Sequence, residues 1–169
     1  QMLCEPTPSD TGSDLETTPT DEFKCLVFQV NFCQLAIPLT HLVEVLQETK
    51  ITRLPNVPSW LLGVSNLRSE IISVVDLRQL LEMDVIHQHR SEAIIVVRSN
   101  ETKLVTGLVV DKLSGFRNLH GLESASPSPL PQYAKLPFIS RVLQTESQQL
   151  AVLDAELLLG SAEFCRFRL

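Results

Sequence analysis

The alternation of apolar and polar side chains becomes regular near residue 23. From there the run KCLVFQVNF alternates, with Leu26, Phe28 and Val30 separated by other side chains. A spacing of two residues is the signature of a β-strand. The run QLAIP follows after a short polar step, so the two runs predict a hairpin that closes at Pro38, which cannot donate to a sheet ladder.

Five more segments have a similar content of β-branched and aliphatic residues. They are EIISVVDL, AIIVVRS, KLVTGLVVDKLSGF, FISRVLQT and QQLAVLD. Their β-branched and aliphatic runs lie between polar or glycine-bearing breaks, which favours small barrels or sandwiches over βαβ units. The last two runs predict a closing hairpin, and the predicted fold class is mainly β.

One stretch between these runs has helical spacing instead. THLVEVLQ places Leu42, Val45 and Leu46 at positions i, i+3 and i+4. Thr40 precedes them, and its hydroxyl suits an N-cap. The spacing predicts a short helix over residues 40–47.

Proline and glycine mark the remaining segments. Two prolines in ITRLPNVPSWLLGVSNL exclude a regular helix or central strand, so this stretch predicts a packed loop that enters a strand. Four prolines between 124 and 137 predict an extended surface segment. One helical turn is expected after Asp76, and a last short helix is expected to end near Gly160, before a tail whose two phenylalanines fold back.

The net charge of −6 belongs to one end of the chain. Residues 1–22 hold six acidic residues and no lysine or arginine, and they are rich in serine, threonine and proline. This composition predicts a disordered acidic tail, either a solubilising leader or a spacer or docking peptide. Residues 23–169 balance 14 basic residues with 14 acidic ones, the 20 of the chain less six. We therefore expect no nucleic acid partner.

Cysteine usage and hydropathy bear on the compartment. No apolar run approaches the ~20 residues of a membrane-spanning helix, so we expect no direct membrane insertion. Cys4, Cys25, Cys33 and Cys165 form no CxxC pair, and the N-terminus lacks the order of a secretory signal. A reduced, cytoplasmic setting is predicted. Cys25 and Cys33 are open to two interpretations, a reactive pair across the first hairpin or, preferably, buried packing.

The sequence has few groupings that carry chemistry. It contains no glycine-rich phosphate loop, GxSxG elbow or HExxH motif. His87 and His89 would share one face of a strand, but no third ligand stands at a recognised spacing. We therefore expect no metal and no cofactor.

Three aspartates recur at equivalent places. Asp76, Asp111 and Asp154 end the apolar runs SVVD, LVVD and AVLD. Three carboxylates at one centre would suit a small enzyme, whereas an Asp at the end of a strand more commonly caps the next turn. The repetition also hints at two similar β units.

The stretch ITRLPNVPSWLLGVSNLRSEIISVVDL closely resembles the most recognisable part of CheW-like domains. In that family a Pro-x-x-Pro loop leads through Gly-Val-x-Asn-Leu-Arg-Gly to a strand ending in Val-Asp-Leu. FQVNFCQLAIPLTHLVEVL, TGLVVDKLSGF and RVLQTESQQLAVLDAELLL resemble the opening hairpin, a later strand and the closing hairpin, in family order. The resemblance implies a CheW-like domain over residues 23–169, built from two small five-stranded SH3-like β-barrels that share strands.

The same resemblance implies a function without catalysis. CheW-like proteins are scaffolds that bind the regulatory domain of a CheA-type histidine kinase and the cytoplasmic hairpin tip of chemoreceptors. The chain would then be cytoplasmic and recruited to receptor arrays. Two alternatives stay open: a regulatory module cut from a larger kinase or CheV-type fusion, and the small enzyme based on the three aspartates.

Contact residues are also implied by the resemblance. It assigns receptor binding to four residues: Arg68, Leu42, Val45 and Glu44. It assigns kinase binding to three residues of the same region: Gly63, Asn66 and Leu67. The planar fork of an arginine suits carboxylates and carbonyls on a helical partner. The alternative for Arg68 is an intramolecular pair with Glu70 or a nearby aspartate.

Some positions depart from the family pattern. Ser69 replaces the usual glycine after Arg68, Asn31 and Phe32 occupy what is often a Gly-Gly turn, and Arg141 stands at a frequent glycine position. Asparagine tolerates positive φ, so the first turn is expected to form. Ser69 is expected to alter the presentation of Arg68, and it leaves open a standard receptor coupler or a divergent member serving pili or phototaxis.

Overall fold

The computed structural model describes residues 23–47, 49–84, 93–125, 129 and 131–167. The acidic tail over 1–22 and the histidines His87 and His89 lie outside these residues. Among the helices described, none has the length and apolar character to cross a membrane.

Strands make up most of the described chain. They are β1 Lys24–Val30, β2 Cys33–Pro38, β3 Leu42–Leu46, β4 Leu61–Leu67, β5 Glu70–Asp76, β6 Ala93–Arg98, β7 Val105–Val110, β8 Lys112–Asn118, β9 Glu123–Ser124, β10 Ile139–Gln144 and β11 Gln149–Leu153. The helices are α1 Leu77–Leu80, α2 Pro131–Ala134, α3 Ala155–Leu159 and α4 Ala162–Cys165.

The strands form two sheets. One has six strands in the order β8-β1-β2-β11-β10-β9, and the other has five in the order β3-β6-β7-β5-β4. The chain begins in the first sheet, builds the whole second sheet with β3 to β7, and returns to the first with β8. The predicted mainly-β fold of two small units is confirmed, with one difference: the two-residue β9 gives the first sheet a sixth strand.

Both predicted hairpins are confirmed. β1 pairs antiparallel with β2, which ends at Pro38, and β10 pairs antiparallel with β11. The two hairpins are joined by a parallel pairing of β2 with β11. The N-terminal and C-terminal parts of the chain therefore complete the same sheet.

The alternation in β1 divides its side chains between two apolar clusters. Leu26, Phe28 and Val30 belong to a central core that both sheets share. Cys25 and Val27 belong to a smaller core of the six-stranded sheet. Each large aliphatic or aromatic side chain buried in this way contributes about 1.5–3 kcal/mol relative to an exposed one.

The five-stranded sheet repeats the arrangement. Ile95 and Val97 of β6 lie in the central core, whereas Ile94 and Val96 lie in a second small core. Both faces of such a strand are apolar, so it reads as an unbroken hydrophobic run rather than as an alternation with polar residues.

The helix predicted over residues 40–47 is wrong. A short 3-10 turn ends at His41, and residues 42–46 form β3, which pairs with β6. A β-bulge between Leu42 and Glu44 shifts the alternation, so Leu42 and Val45 both pack against the central core. The bulge thus produces a spacing of three residues without a helix. Thr40 makes no capping hydrogen bond.

The extended surface segment predicted over 124–137 is also wrong in part. Residues 131–134 form α2, and its Tyr133 is buried in the central core. The Tyr133 hydroxyl accepts a hydrogen bond from the Gln34 N–H at 2.8 Å and donates one to the Gln149 carbonyl at 3.1 Å. Tyrosine is buried here because its polar end has partners.

The C-terminal residues fold back as expected. α3 ends before Gly160, and α4 follows it. The rings of Phe164 and Phe167 pack against Trp60, with centroid distances of 6.3 and 5.9 Å. This aromatic cluster fastens the end of the chain to the proline-bearing loop before β4.

One carboxylate ties α3 to the edge of the five-stranded sheet. Glu156 accepts hydrogen bonds from the Ser99 hydroxyl, the Asn100 and Glu101 N–H groups and the His41 ring. Burial alone raises the pKa of Glu156, but these hydrogen bonds outweigh burial and lower that pKa to about 2.

A lowered pKa makes Glu156 a pH-dependent contact. Its contribution to the free energy of unfolding is fully present above about pH 4.5 and is lost as the pH falls towards 2. We expect Glu156→Gln to cost about 1–3 kcal/mol at pH 7 in urea unfolding, because charged hydrogen bonds are lost. The cost should shrink below pH 4.5. Glu101→Gln, on the exposed loop, is the control, and an equal cost at pH 7 and pH 2.5 would contradict this role for Glu156.

Candidate functional site

A tight turn presents Arg68 at one end of the five-stranded sheet. β4 and β5 pair up to Leu67 and Glu70, which leaves only Arg68 and Ser69 in the loop. Their φ angles are 49° and 71°. Two successive positive φ values define the turn that matches the twist of a two-residue hairpin, and glycine is favoured there. Ser69 therefore adopts a left-handed conformation that costs more for serine than for glycine.

Arg68 reaches across the sheet to Glu44. Its Nη2 lies 3.1 Å from Glu44 Oε1. Glu44 is on β3 and Arg68 follows β4, and these are the two edge strands of the sheet. The backbone bridge between Thr52 and Val64 also connects β4 to the segment that follows β3. The sheet therefore curves until its edges approach each other.

The Arg68–Glu44 contact is an ion pair rather than a hydrogen bond. Glu44 Oε1 is buried but accepts no hydrogen bond, although the guanidinium nitrogen is close to it. The Arg68 side chain is 79% exposed and that of Glu44 is 22% exposed. The intramolecular pair considered for Arg68 therefore exists, but its partner is Glu44 instead of Glu70.

A groove of about 570 Å³ opens beside this turn. Polar and apolar residues share its walls: Leu46, Thr49, Lys50, Thr52, Val64, Ser65, Asn66, Leu67 and Ile71. The Ser65 hydroxyl donates to the Lys50 carbonyl at 2.9 Å and fixes one wall to the other. Such a mixed, open concavity suits a polypeptide partner better than a small apolar ligand.

The seven predicted contact residues fall into three environments. Arg68, Glu44 and Asn66 have exposed or partly exposed side chains, and Asn66 lines the groove. Leu67 lines the groove, but it also packs against the small core of the sheet. The remaining three residues are buried or partly buried: Gly63, Leu42 and Val45.

Two exposed apolar residues were not predicted. Val43 on β3 is 41% exposed, and Ile71 on β5 is 66% exposed and lines the groove. A strand with Leu42 inside places its next residue, Val43, outside. Ile71 has no comparable signal, because every residue of β5 from Ile72 to Asp76 is buried.

Asp76 and Asp111 meet at a buried arginine. Arg78 Nε is 3.3 Å from Asp76 Oδ1, and Arg78 Nη1 is 3.6 Å from Asp111 Oδ1. Asp111 Oδ2 also accepts the Asn31 N–H at 2.6 Å. Buried charges need partners, and these link the end of β5, the junction of β7 and β8, and the β1–β2 turn. KLVTGLVVDKLSGF is thus two strands, broken at Asp111.

Asp154 lies apart from that network. It caps α3 by accepting the Leu157 N–H at 3.0 Å, just as Asp76 caps α1 through the Arg78 N–H. The capping interpretation is confirmed for these two residues. Within the described part of the chain, no group of three or more His, Cys, Asp or Glu side chains is placed to hold a metal ion.

Cys25 and Cys33 do not face each other. In the first hairpin Cys25 is opposite Pro38 and Cys33 is opposite Val30. The two thiols are buried in different cores, and burial raises the pKa of both, that of Cys25 to about 11. Packing, the preferred interpretation, is confirmed.

A comparison with protein families decides the assignment. A family model described as "CheW-like domain" matches residues 24–163. The chain belongs to the CheW-like domain family. The match spans both sheets and includes the Arg68 turn, the groove and the Arg78 network.

Relatives and a solved structure agree with this assignment. The chemotaxis protein CheW of Bacillus subtilis is 28% identical over 80% of this chain and 86% of its own length. Protein FrzA of Myxococcus xanthus is 30% identical over 81% and 82%. The scaffolding protein TtCheW of Thermoanaerobacter tengcongensis has the same fold, with a TM-score of 0.69 at 21% identity, over 84% of this chain and 95% of that one.

Gly63 has a structural role within this CheW-like domain. A side chain there would run into the Thr52 carbonyl oxygen, which accepts the Val64 N–H at 2.9 Å. We expect Gly63→Ala to cost roughly 1–3 kcal/mol in urea unfolding, because backbone must move. Gly121→Ala is a control for an open glycine with positive φ. If the Gly63 variant keeps full stability, the close approach of Thr52 is not required.

Ser69 allows a test of strain in the Arg68 turn. A non-glycine residue in the left-handed region costs about 1–2 kcal/mol. A glycine there removes this strain, but it also raises the conformational entropy of the unfolded chain, which offsets part of the gain in stability. We therefore expect Ser69→Gly to raise stability by about 0.5–1 kcal/mol in urea unfolding. Ser140→Gly, in the extended β10, should lower stability instead. Equal losses in both variants would contradict the assigned strain.

Proposed function

We propose that this protein is a non-catalytic adaptor that couples chemoreceptors to a CheA-type histidine kinase in chemotaxis or a related taxis pathway. Membership of the CheW-like family supports the proposal, as do relatives named chemotaxis protein CheW. The observation that carries it is the groove beside the Arg68–Glu44 pair. Acting from the cytoplasm, the protein would be recruited to receptor arrays.

For the receptor side, the proposal uses Arg68 and Glu44. The Arg68 guanidinium has five N–H donors and is mostly exposed, so it is placed to hold a carboxylate or carbonyl of a helical hairpin tip. Leu42 and Val45 hold β3 in place, because they pack against the central core. Exposed Val43 extends the surface with an apolar contact.

For the kinase side, the proposal uses the β4 wall. Asn66 and Leu67 offer amide and aliphatic groups to the regulatory domain of the kinase, and exposed Ile71 lies beside them. Gly63 keeps the backbone of this wall close to Thr52. Aliphatic groups surrounded by polar ones are typical of protein interfaces.

Such an adaptor acts through geometry. Holding a receptor tip and a kinase domain at adjacent surfaces makes the second contact effectively intramolecular, so modest affinities suffice. A change in the receptor then alters the kinase by repositioning it, without a chemical step in the adaptor.

The test is a calorimetric titration of the full chain with two partners, a receptor cytoplasmic-tip fragment and the regulatory domain of a CheA-type kinase. We expect saturable binding of each. Arg68→Glu should weaken receptor binding at least tenfold, because it reverses a charge at the contact. Ile71→Asp should weaken kinase binding by a similar factor.

Arg166→Glu is the matched control, because Arg166 is an exposed arginine at the end of α4. It should leave both affinities unchanged. The exchanged pair Arg68→Glu with Glu44→Arg tests whether the internal ion pair alone matters, since it preserves the pair but not the charge offered to the receptor. Failure of the parent chain to bind either partner would refute the adaptor role.

A further inference from the structure

A second concavity lies at the other end of β5, away from the groove. It measures about 510 Å³ and is built from three segments: the β1–β2 turn, the residues after α1, and α2 with the residues that follow it. Its floor is apolar, with partly buried Met83 and Leu136. We call it the turn pocket, because Asn31 and Phe32 of the β1–β2 turn form one wall.

Phe32 is the most exposed large apolar residue described, at 78%. The backbone of its turn is held in place. Asn31, at a φ of 53°, donates its N–H to Asp111 and its side-chain Nδ2 to the Asp84 carbonyl at 2.8 Å. The backbone of this turn therefore need not become ordered on binding, which lowers the entropic cost of using Phe32 as an anchor.

Two acidic side chains and one basic side chain line the turn pocket. The Glu82 and Asp84 side chains are exposed on the rim, without an ion pair among the described residues, and Lys135 is the one cation of the lining.

We propose that the turn pocket binds a polypeptide segment in which an aliphatic or aromatic side chain stands beside lysine or arginine. The apolar side chain packs between Phe32, Met83 and Leu136. The flanking cations face the Glu82 and Asp84 carboxylates. The turn pocket shares no lining residue with the groove that carries the proposed function, so the two sites can be tested separately.

The experiment uses two matched peptides, acetyl-Lys-Leu-Lys-amide and acetyl-Glu-Leu-Glu-amide, titrated into the ¹⁵N-labelled full chain and followed by NMR. The basic peptide is expected to shift the amide signals of residues 31–33, 81–84 and 132–136 in a saturable manner. The acidic peptide should not. Phe32→Ala should weaken the basic peptide about tenfold, and Glu82→Lys should reverse the preference between the peptides.

Two further variants keep the test decisive. Asn31→Gly retains the positive φ but removes the Nδ2 hydrogen bond to the Asp84 carbonyl, and it should weaken the basic peptide several-fold because the turn that carries Phe32 is loosened. Ile71→Asp, in the groove, should leave peptide binding unchanged. Equal binding of both peptides, signals that move only around residues 64–71, or no saturable shift would overturn the turn pocket. Each of those results leaves the groove titrations with receptor and kinase untouched.

Discussion

The fold depends on one constraint: the central strands must bury both of their faces. β1 sends alternate side chains into the core shared by the two sheets and into the core of its own sheet, and β6 does the same on the other side. The two sheets could not separate without exposing the central core that they share to water. The groove and the turn pocket are therefore carried on one rigid support, at opposite ends of β5.

The sequence predicted those strands well because a strand that is buried on both faces has a continuous run of apolar residues. The runs AIIVVRS and QQLAVLD contain the uninterrupted apolar stretches AIIVV and LAVL, and both lie in strands. Residues 40–47 were misread because the bulge after Leu42 imitates helical spacing, and a bulge is a property of pairing with a distant strand. Asp111 had been recognised as the end of the run LVVD, but β8 was not separated from β7 in KLVTGLVVDKLSGF, because β8 is defined by its pairing with the distant β1.

For the candidate site as well, local features were predicted from the sequence, and contacts between distant segments were not. The family motif singled out Arg68 and Glu44 individually, but nothing local to either residue indicates that they touch, because the contact arises from the curvature of a five-stranded sheet. Gly63 was singled out because it belongs to the family motif, and in the structure it allows the close approach of the Thr52 backbone. The turn pocket left almost no trace in the sequence, since its three segments meet only in the folded chain.

The Arg68–Glu44 pair has a consequence for the proposed receptor contact. A partner carboxylate that binds Arg68 in that role would compete with one that is already 3.1 Å away, so binding would exchange one ion pair for another instead of creating a new one. Salt screens the old pair and the new one alike, and an exchange of this kind is nearly indifferent to ionic strength. In the proposed adaptor role, the turn would discriminate between partners by shape and by the position of charge rather than by the strength of attraction.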